Sequence, residues 1–568
     1  MVIGQMSRTT SFRFGSVLLA SLLLLTGCVV GPDYVPPSVP QPLSYQEAGH
    51  WKKGEPQDAI AKGDWYSVFH DHKLNELEAQ AQQNNQTLRA AQARVSEARA
   101  VSRQAEADFF PNLSFDATGA QQRISPTNGA TQAQSMGLPL KPHTFYNATV
   151  TPFDLSYEVD LWGKVQRAFE ASGDQAQASL ADFENVLLSL KAELATDYFA
   201  LREADSEIDV QNQTIKSFQD ALNLTNSRFQ GGISTQLDVE QAKATLASAQ
   251  AQLATFRESR AQLEHAIAVL LGRPPEGFSL AFHPLDLPPP VIPPGLPSEL
   301  LERRPDVAAA ERRVAAQNAQ IGVAIAAYFP QVNLTGQTGF DSGDIGLLFN
   351  WESRIWSYGP SIQFPIFEGG RIEANIKQQR AAYEENVANY RQSVLVAFQD
   401  VEDSLSSLRY LREQSQAEET AYQSYQKALD LTNARYSTGL VSYFDVIQAQ
   451  GLALNAEQST VQIAGNRLAA TIRLIKALGG GWQDSFLIRP DFGNHVDAPS
   501  APPTVIGPDQ SVPEANAPST PSVTASRSNQ PAPNASAPTT PAPATATAGE
   551  SNSPAPKTKL GKAHIEGD

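Results

Sequence analysis

The chain has 568 residues, with 43 Lys plus Arg against 60 Asp plus Glu, eight His and a single Cys, for a formal net charge of -17. So acidic a balance offers no concentrated basic surface for nucleic-acid phosphates, and one cysteine excludes an internal disulfide framework. Phosphate-cradling glycine loops and nucleophile elbows are absent, and the close pair His70-Asp71-His72 lacks the further ligands of a metal site and reads as a polar turn, so neither enzyme nor cofactor is expected.

In chain order, residues 1–27 carry Arg8 and Arg13, an apolar stretch from Gly15 to Leu25, and then Leu-Thr-Gly before Cys28. A charged start, a short apolar core and small residues form an export signal too short to span a bilayer. The lone cysteine at its end reads as a bacterial lipoprotein site, cleaved between Gly27 and Cys28 and lipidated on Cys28; an ordinary signal with a chance cysteine, or an uncleaved anchor, is the plainer alternative. Val29 follows, not the Asp associated with inner-membrane retention, which favours an outer-membrane address. Several acyl chains together make a stable anchor. No later apolar run reaches the length of a membrane helix, so further insertion must use strands.

Residues 28–70 are proline-rich and read as an extended arm. From about His72 to Asp108, Leu74, Leu77, Ala81, Leu88, Ala91 and Val95 recur at helical spacing until Pro111. The period then changes to two: Phe153, Leu155, Tyr157, Val159 and Leu161 alternate with Asp154, Ser156, Glu158 and Asp160. Weaker alternation at Leu113/Phe115/Ala117, Val332/Leu334 and Ile362/Phe364/Ile366 brings the expected strands to four, a pattern common to soluble sheets and membrane barrels.

Between Gly163 and Phe229 there is no proline, and a heptad-like seam runs from Leu180 through Leu187, Leu194, Leu201, Ile208, Ile215 and Leu222. A helix of that length spans about 100 Å at 1.5 Å per residue. The same layout returns 207 residues later: Ala221–Lys243 and Ala428–Gln450 share 11 of 23 aligned positions, among them Arg228/Arg435, Gly232/Gly439 and Asp238/Asp445. A period near 200 is too long for a solenoid unit and indicates a duplicated half-molecule. Boundaries at 71–275 and 276–485 enclose the halves, each a helix, two strands, a long helix and a returning helix. At the turns, Gly232 and Gly439 suit left-handed caps, and Thr235-x-x-Asp238 and Ser442-x-x-Asp445 form capping boxes. Residues 490–568, rich in Pro, Ala, Ser and Thr, read as disordered.

Four strands cannot close a membrane barrel, because open edges leave backbone groups unsatisfied in lipid. The chain must therefore associate, and three copies give twelve strands. Here the residues resemble a known family. The LTGC lipobox with GPDY, Ser156–Ala171 (SYEVDLWGKVQRAFEA), the tip RFQGGISTQLDVEQAKA, the block Leu296–Pro330, FEGGRIEANI and KALGGGW are similar to outer membrane efflux proteins of the NodT-type lipoprotein branch of the TolC superfamily. The resemblance implies a mainly α fold with a small β-barrel portion: a homotrimer with a twelve-stranded outer-membrane barrel continued by a periplasmic α-helical coiled-coil barrel. It implies a passive duct for small toxic compounds, a periplasmic adaptor and an inner-membrane transporter of the resistance-nodulation-division class as partners. It places the adaptor contacts at the tips, here Arg228, Gly231, Gly232, Thr235, Asp238, Arg435, Gly439 and Ser442. It places Asp445 and Tyr436 at the periplasmic aperture, with Gln448 where some relatives carry a second acid and Val441 where some carry a basic lock. Capping alone also accounts for Asp445. A type I protein-secretion duct and a structural periplasmic coiled-coil lipoprotein are the alternative readings.

Overall fold

The structure, a computed structural model, describes residues 29–39, 46, 64–123, 144–286, 288–290, 292 and 304–480. The signal segment with Gly27 and Cys28, most of the 28–70 arm and the tail after residue 490 lie outside the described residues. So does the Leu296–Arg303 part of the Leu296–Pro330 block.

The helical run expected from His72 to Asp108 is two helices, α1 (His72–Asn84) and α2 (Gln86–Ala107). Asn85 divides them: its extended backbone stops α1, its side-chain oxygen accepts from Leu88 N at 2.9 Å to start α2, and its amide donates to Leu270 O at 2.9 Å. One residue thus serves as stop, start and tether. Four antiparallel strands follow, β1 (Asn112–Arg123), β2 (Thr144–Val159), β3 (Gln331–Ser342) and β4 (Arg354–Gln363), in sheet order β1-β2-β3-β4. The alternation predicted through Phe364 and Ile366 overruns the strand, because Pro365 has no N–H to continue the ladder.

Between the strand pairs lie α3 (Lys164–Gln230), α4 (Gln236–Leu270) and α5 (Pro305–Ala326); after β4 come α6 (Arg371–Ser437) and α7 (Tyr443–Ala477). The two long helices are each 67 residues and the two returning helices each 35. Each long helix starts at a left-handed glycine, Gly163 (φ 73°) or Gly370 (φ 86°), so the chain turns abruptly from strand into rod. The alanine-rich α5 packs closely on α3, burying Ala308, Ala309, Ala315 and Ala319.

The largest core lies where α1, α3, α4 and α7 meet the Trp65–Phe69 turn: the Phe69 ring packs, tilted, against Phe199 at 4.9 Å among Leu74, Leu77, Leu194, Ile267, Leu468 and Ile472. Each fully buried large apolar side chain contributes roughly 1.5–3 kcal/mol. The segment after α4 is held there by a charged clasp. Asp205, fully buried, accepts from Arg260 Nε at 2.5 Å, from Arg202 at 3.0 Å and from His283 N at 3.0 Å. The stretch Val29–Tyr34 is likewise docked: Val30 N donates to Trp162 O at 3.0 Å, Arg167 pairs with Asp33 at 2.7 Å, and Tyr34 donates to Glu311 at 2.8 Å. A Cβ on Gly31 would collide with the backbone of Gly322, so only glycine permits that approach.

Candidate functional site

Two regions bear on function, at opposite ends of the molecule. The first is the sheet. Directly paired residues in antiparallel strands share a face. Leu113 pairs with Leu155, Leu155 with Gly336, Gly336 with Tyr358; Tyr157 pairs with Leu334 and Leu334 with Pro360; Val159 pairs with Val332 and Val332 with Ile362. This face is apolar apart from Thr338 and the polar residues at its far end, and yet open: Leu113, Phe115, Phe153, Trp356, Tyr358 and Ile362 are all more than half exposed. The opposite face carries Ser114, Asp154, Ser156, Asn333, Thr335, Gln337 and Ser361. β2 takes one extra residue between Thr151 and Asp154, a bulge that preserves the alternation on both sides. β1 and β4 are edges with no further strand partner among the described residues.

The second region is the pair of helical tips, about 100 Å down the long helices. Gly232 (φ 73°) and Gly439 (φ 79°) take left-handed conformations, as expected for the caps. Both capping boxes are complete. Thr235 Oγ1 accepts from Asp238 N at 3.2 Å while Asp238 Oδ2 accepts from Thr235 N and Oγ1 at 2.8 Å. Ser442 Oγ accepts from Asp445 N at 3.4 Å, and Asp445 Oδ2 accepts from Ser442 N at 2.8 Å and Oγ at 2.7 Å. The Ser442 hydrogen bonds hold the Asp445 carboxyl below the usual aspartate range. Burial works to raise Asp238, but the bonds from Thr235 and Ser234 outweigh it, so it too is lowered. Asp445 and Gln448 both face outward on α7, whereas Asp238 is half-buried.

The two tips are joined asymmetrically. Arg228, at the end of α3, donates to Tyr436 O at 3.0 Å and Ser437 O at 3.1 Å, capping the last turn of α6. Its guanidinium lies over the Tyr436 ring at 4.4 Å, and that ring packs on Tyr443 at 5.6 Å. Tyr436 is buried and belongs to an apolar cluster with Phe218, Leu222, Val239, Tyr443 and Val446. Burial, with Tyr436 and Asp238 nearby, pushes the Tyr443 hydroxyl up to about 12. Arg435, the counterpart of Arg228, is exposed. The family resemblance grouped Arg228 with the tip contact residues; its role between hairpins depends on tertiary approach and leaves no periodic signal.

Above the tips a polar seam joins α3 to α7. Gln458 donates to Gln211 at 3.1 Å, Gln462 to Glu207 at 3.2 Å, and the Glu203 carboxyl lies against Gly465, where any Cβ would overlap it. Burial, with Glu207 adding to it, raises Glu203 to about 7. The repeat alignment did not mark these residues, since a long helix gives no hint of which turn meets its neighbour. Among the described residues no group of His, Cys, Asp and Glu is arranged to hold a metal, and no helix is long and apolar enough to cross a membrane.

A fold with a two-faced sheet at one end and capped helical hairpins at the other defines an outer-membrane channel of the TolC-like class. The family profile of outer membrane efflux proteins matches residues 77–273 and 296–480, and the chain belongs to that family. It is 31% identical over 477 residues to the "Probable efflux pump outer membrane protein TtgC" of Pseudomonas putida, covering 82% of this chain and 95% of that one. To outer membrane protein OprJ of Pseudomonas aeruginosa it is 33% identical, over 84% and 97% of the two chains. The open state of the Neisseria gonorrhoeae MtrE outer membrane channel superposes with a TM-score of 0.70 at 30% identity, covering 80% of this chain and 99% of that one.

Proposed function

We propose that this protein is the outer-membrane duct of a tripartite efflux system, exporting small toxic compounds without catalysis of its own. The observation that carries it is the sheet: one largely apolar face, one polar face and two edges unpaired among the described residues, continued directly into two 67-residue rods. In lipid, the edges must pair with other copies. Three chains placed about a threefold axis give twelve strands, with apolar residues outward and Ser, Asn, Gln and Asp lining the lumen. The same symmetry arranges α3, α4, α6 and α7 into a twelve-helix tunnel through the periplasm.

The further assignments follow from that arrangement. Cys28 carries the lipid, and the docked Val29–Tyr34 stretch, tied to Trp162 at the base of β2, supports an anchor level with the lower rim of the barrel. The tips, including Gly231, Gly232, Gly439 and the exposed Ile233, Leu237, Leu440 and Phe444, meet a periplasmic adaptor that links the duct to an inner-membrane transporter of the proton-driven class. Asp445 and Gln448 line the aperture, while Tyr436 and Arg228 tie its two hairpins together.

The test is ion conductance of the purified protein in planar bilayers, alongside drug susceptibility of a deletion strain. Discrete openings, and sensitisation restored by the gene, are expected. Silence from inserted trimer together with unchanged susceptibility would remove the duct reading.

A further inference from the structure

The four strands contain two cationic side chains, Arg123 at the end of β1 and Arg354 at the start of β4. Both lie at the end of the sheet remote from the helices, and both are exposed. Their faces follow from register. Arg123 shares parity with Leu113, Phe115 and Ala117, and its partner Thr144 shares parity with Tyr146, Ala148 and Val150. Arg354 pairs with Phe340, which pairs with Val150. Both arginines therefore stand on the apolar face, the one that the proposed barrel turns to lipid.

A cation on that face is costly at mid-membrane and tolerated only at the headgroup level, where an anion can meet it. The surroundings fit such a boundary. The Arg354 guanidinium lies 3.7 Å over the ring of Trp351 and donates to Trp351 O at 3.4 Å. Trp351 and Phe349 are 75% and 71% exposed, and Phe349 packs on Phe340 at 5.7 Å, so the β3–β4 loop extends the apolar face to the same level. Aromatic side chains with a polar end mark membrane interfaces.

Arg123 and Arg354 also occupy opposite edges of the sheet. Closing an up-and-down barrel sets β4 of one copy antiparallel to β1 of the next, which brings these two ends to the same seam. We infer that each seam between copies binds the phosphorylated headgroup of the outer-leaflet glycolipid, through Arg354 of one copy and Arg123 of its neighbour. Arginine suits this role because its planar fork meets phosphate oxygens two at a time. The acids of the strands, Asp116, Asp154, Glu158 and Asp341, all stand on the opposite, polar face. This inference rests on the trimeric barrel reading above.

The test uses full-length protein in detergent, with melting temperature measured against added bisphosphorylated lipid A, its dephosphorylated form and inorganic phosphate. Oligomer mass and bilayer conductance are read on the same preparations. Wild-type protein is expected to gain melting temperature with the phosphorylated lipid beyond the gain with the dephosphorylated one. R123Q and R354Q each lose part of that difference and the double variant loses all of it, with mass and conductance unchanged. A double variant that keeps the full difference while trimeric and conducting would overturn the site. Equal stabilisation of wild type by both lipids, or by inorganic phosphate alone, would overturn the glycolipid as its ligand. A wild-type protein without oligomer would overturn the barrel reading and this inference with it.

Discussion

Helices α3 and α6 have the same length and opposite surroundings. Twenty-four of the 67 residues of α3 are buried, against eight of α6, and between Leu405 and Tyr436 α6 buries none. α3 is wedged among α2, α4, α5 and α7; α6 has mainly α7 and α5. It leaves Tyr410, Leu431 and the edge of Tyr425 open along its lower half. The difference teaches how unequally one chain supports its two rods. α3 is a core helix stabilised within one copy, whereas the lower α6 lacks such cover within the chain and is the surface that the trimer proposed above would set against a neighbouring copy.

The sharpest way to break that contrast is at paired positions of the two rods. Asp205 on α3 and Arg412 on α6 are separated by the repeat offset, and only the first is buried. Asp205→Ala leaves Arg202 without a carboxylate and Arg260 with Glu264 alone, a loss expected at about 3 kcal/mol. Arg412→Ala is expected within about 0.5 kcal/mol of wild type. Thermal unfolding followed by helical circular dichroism separates them; equal losses would mean that α6 is as internally supported as α3.

Next in size is the tie between hairpins. Arg228→Ala removes two charge-assisted bonds to α6, about 1–2 kcal/mol after allowance for its partial exposure. Single-channel recording should show an open probability raised several-fold, while Arg435→Ala, lacking those bonds, leaves it near wild type. A reversed ranking would move the tie to the other hairpin.

Glu203 tests the polar seam through pH. Its folded value, raised by burial to about 7 from an ordinary 4.5, means that the folded state holds a proton which the unfolded state has released across that window. Stability from this site is therefore greatest below about 4.5 and is lost as pH rises toward 7. Glu203→Gln should flatten the dependence of melting temperature on pH across that range and raise it at neutral pH. An unchanged slope would assign the dependence to other groups on α3, such as Asp197, which burial raises to about 6.

Much of this was legible in sequence because it is periodic or local. The rods followed from proline-free heptads, the strands from alternation at Phe153–Val159, and the tips from Gly232, Gly439 and their capping boxes. What escaped was contact between distant segments. Asn85 reads as an ordinary helical position until Leu270 O is placed beside it. Gly465 reads as a flaw in a helix until the Glu203 carboxyl occupies the space it leaves. Arg228 and Arg435 are identical letters in aligned repeats, and only the approach of α6 makes them different.

The smallest and most discriminating effect concerns the aspartates of the two tips. Asp238 accepts from Ser234 Oγ at 2.8 Å as well as from Thr235, whereas Val441 stands at the position equivalent to Ser234 and gives Asp445 no such bond. Asp238 is therefore the more fully committed to its cap, and Asp445 keeps more of its charge turned outward. The Ser442 bonds lower the Asp445 value, so the cap's contribution is present at and above ordinary aspartate pH and fades only as pH falls below it. Three such carboxylates at an aperture would concentrate cations there. Asp445→Asn should accordingly reduce the cation preference of the open channel at every pH above about 4, while Asp238→Asn changes selectivity little and acts mainly through its helix. Reversal potentials in a salt gradient read the difference. If both variants shift the reversal potential equally, capping is the whole role of Asp445, and the charge at the mouth lies with another residue.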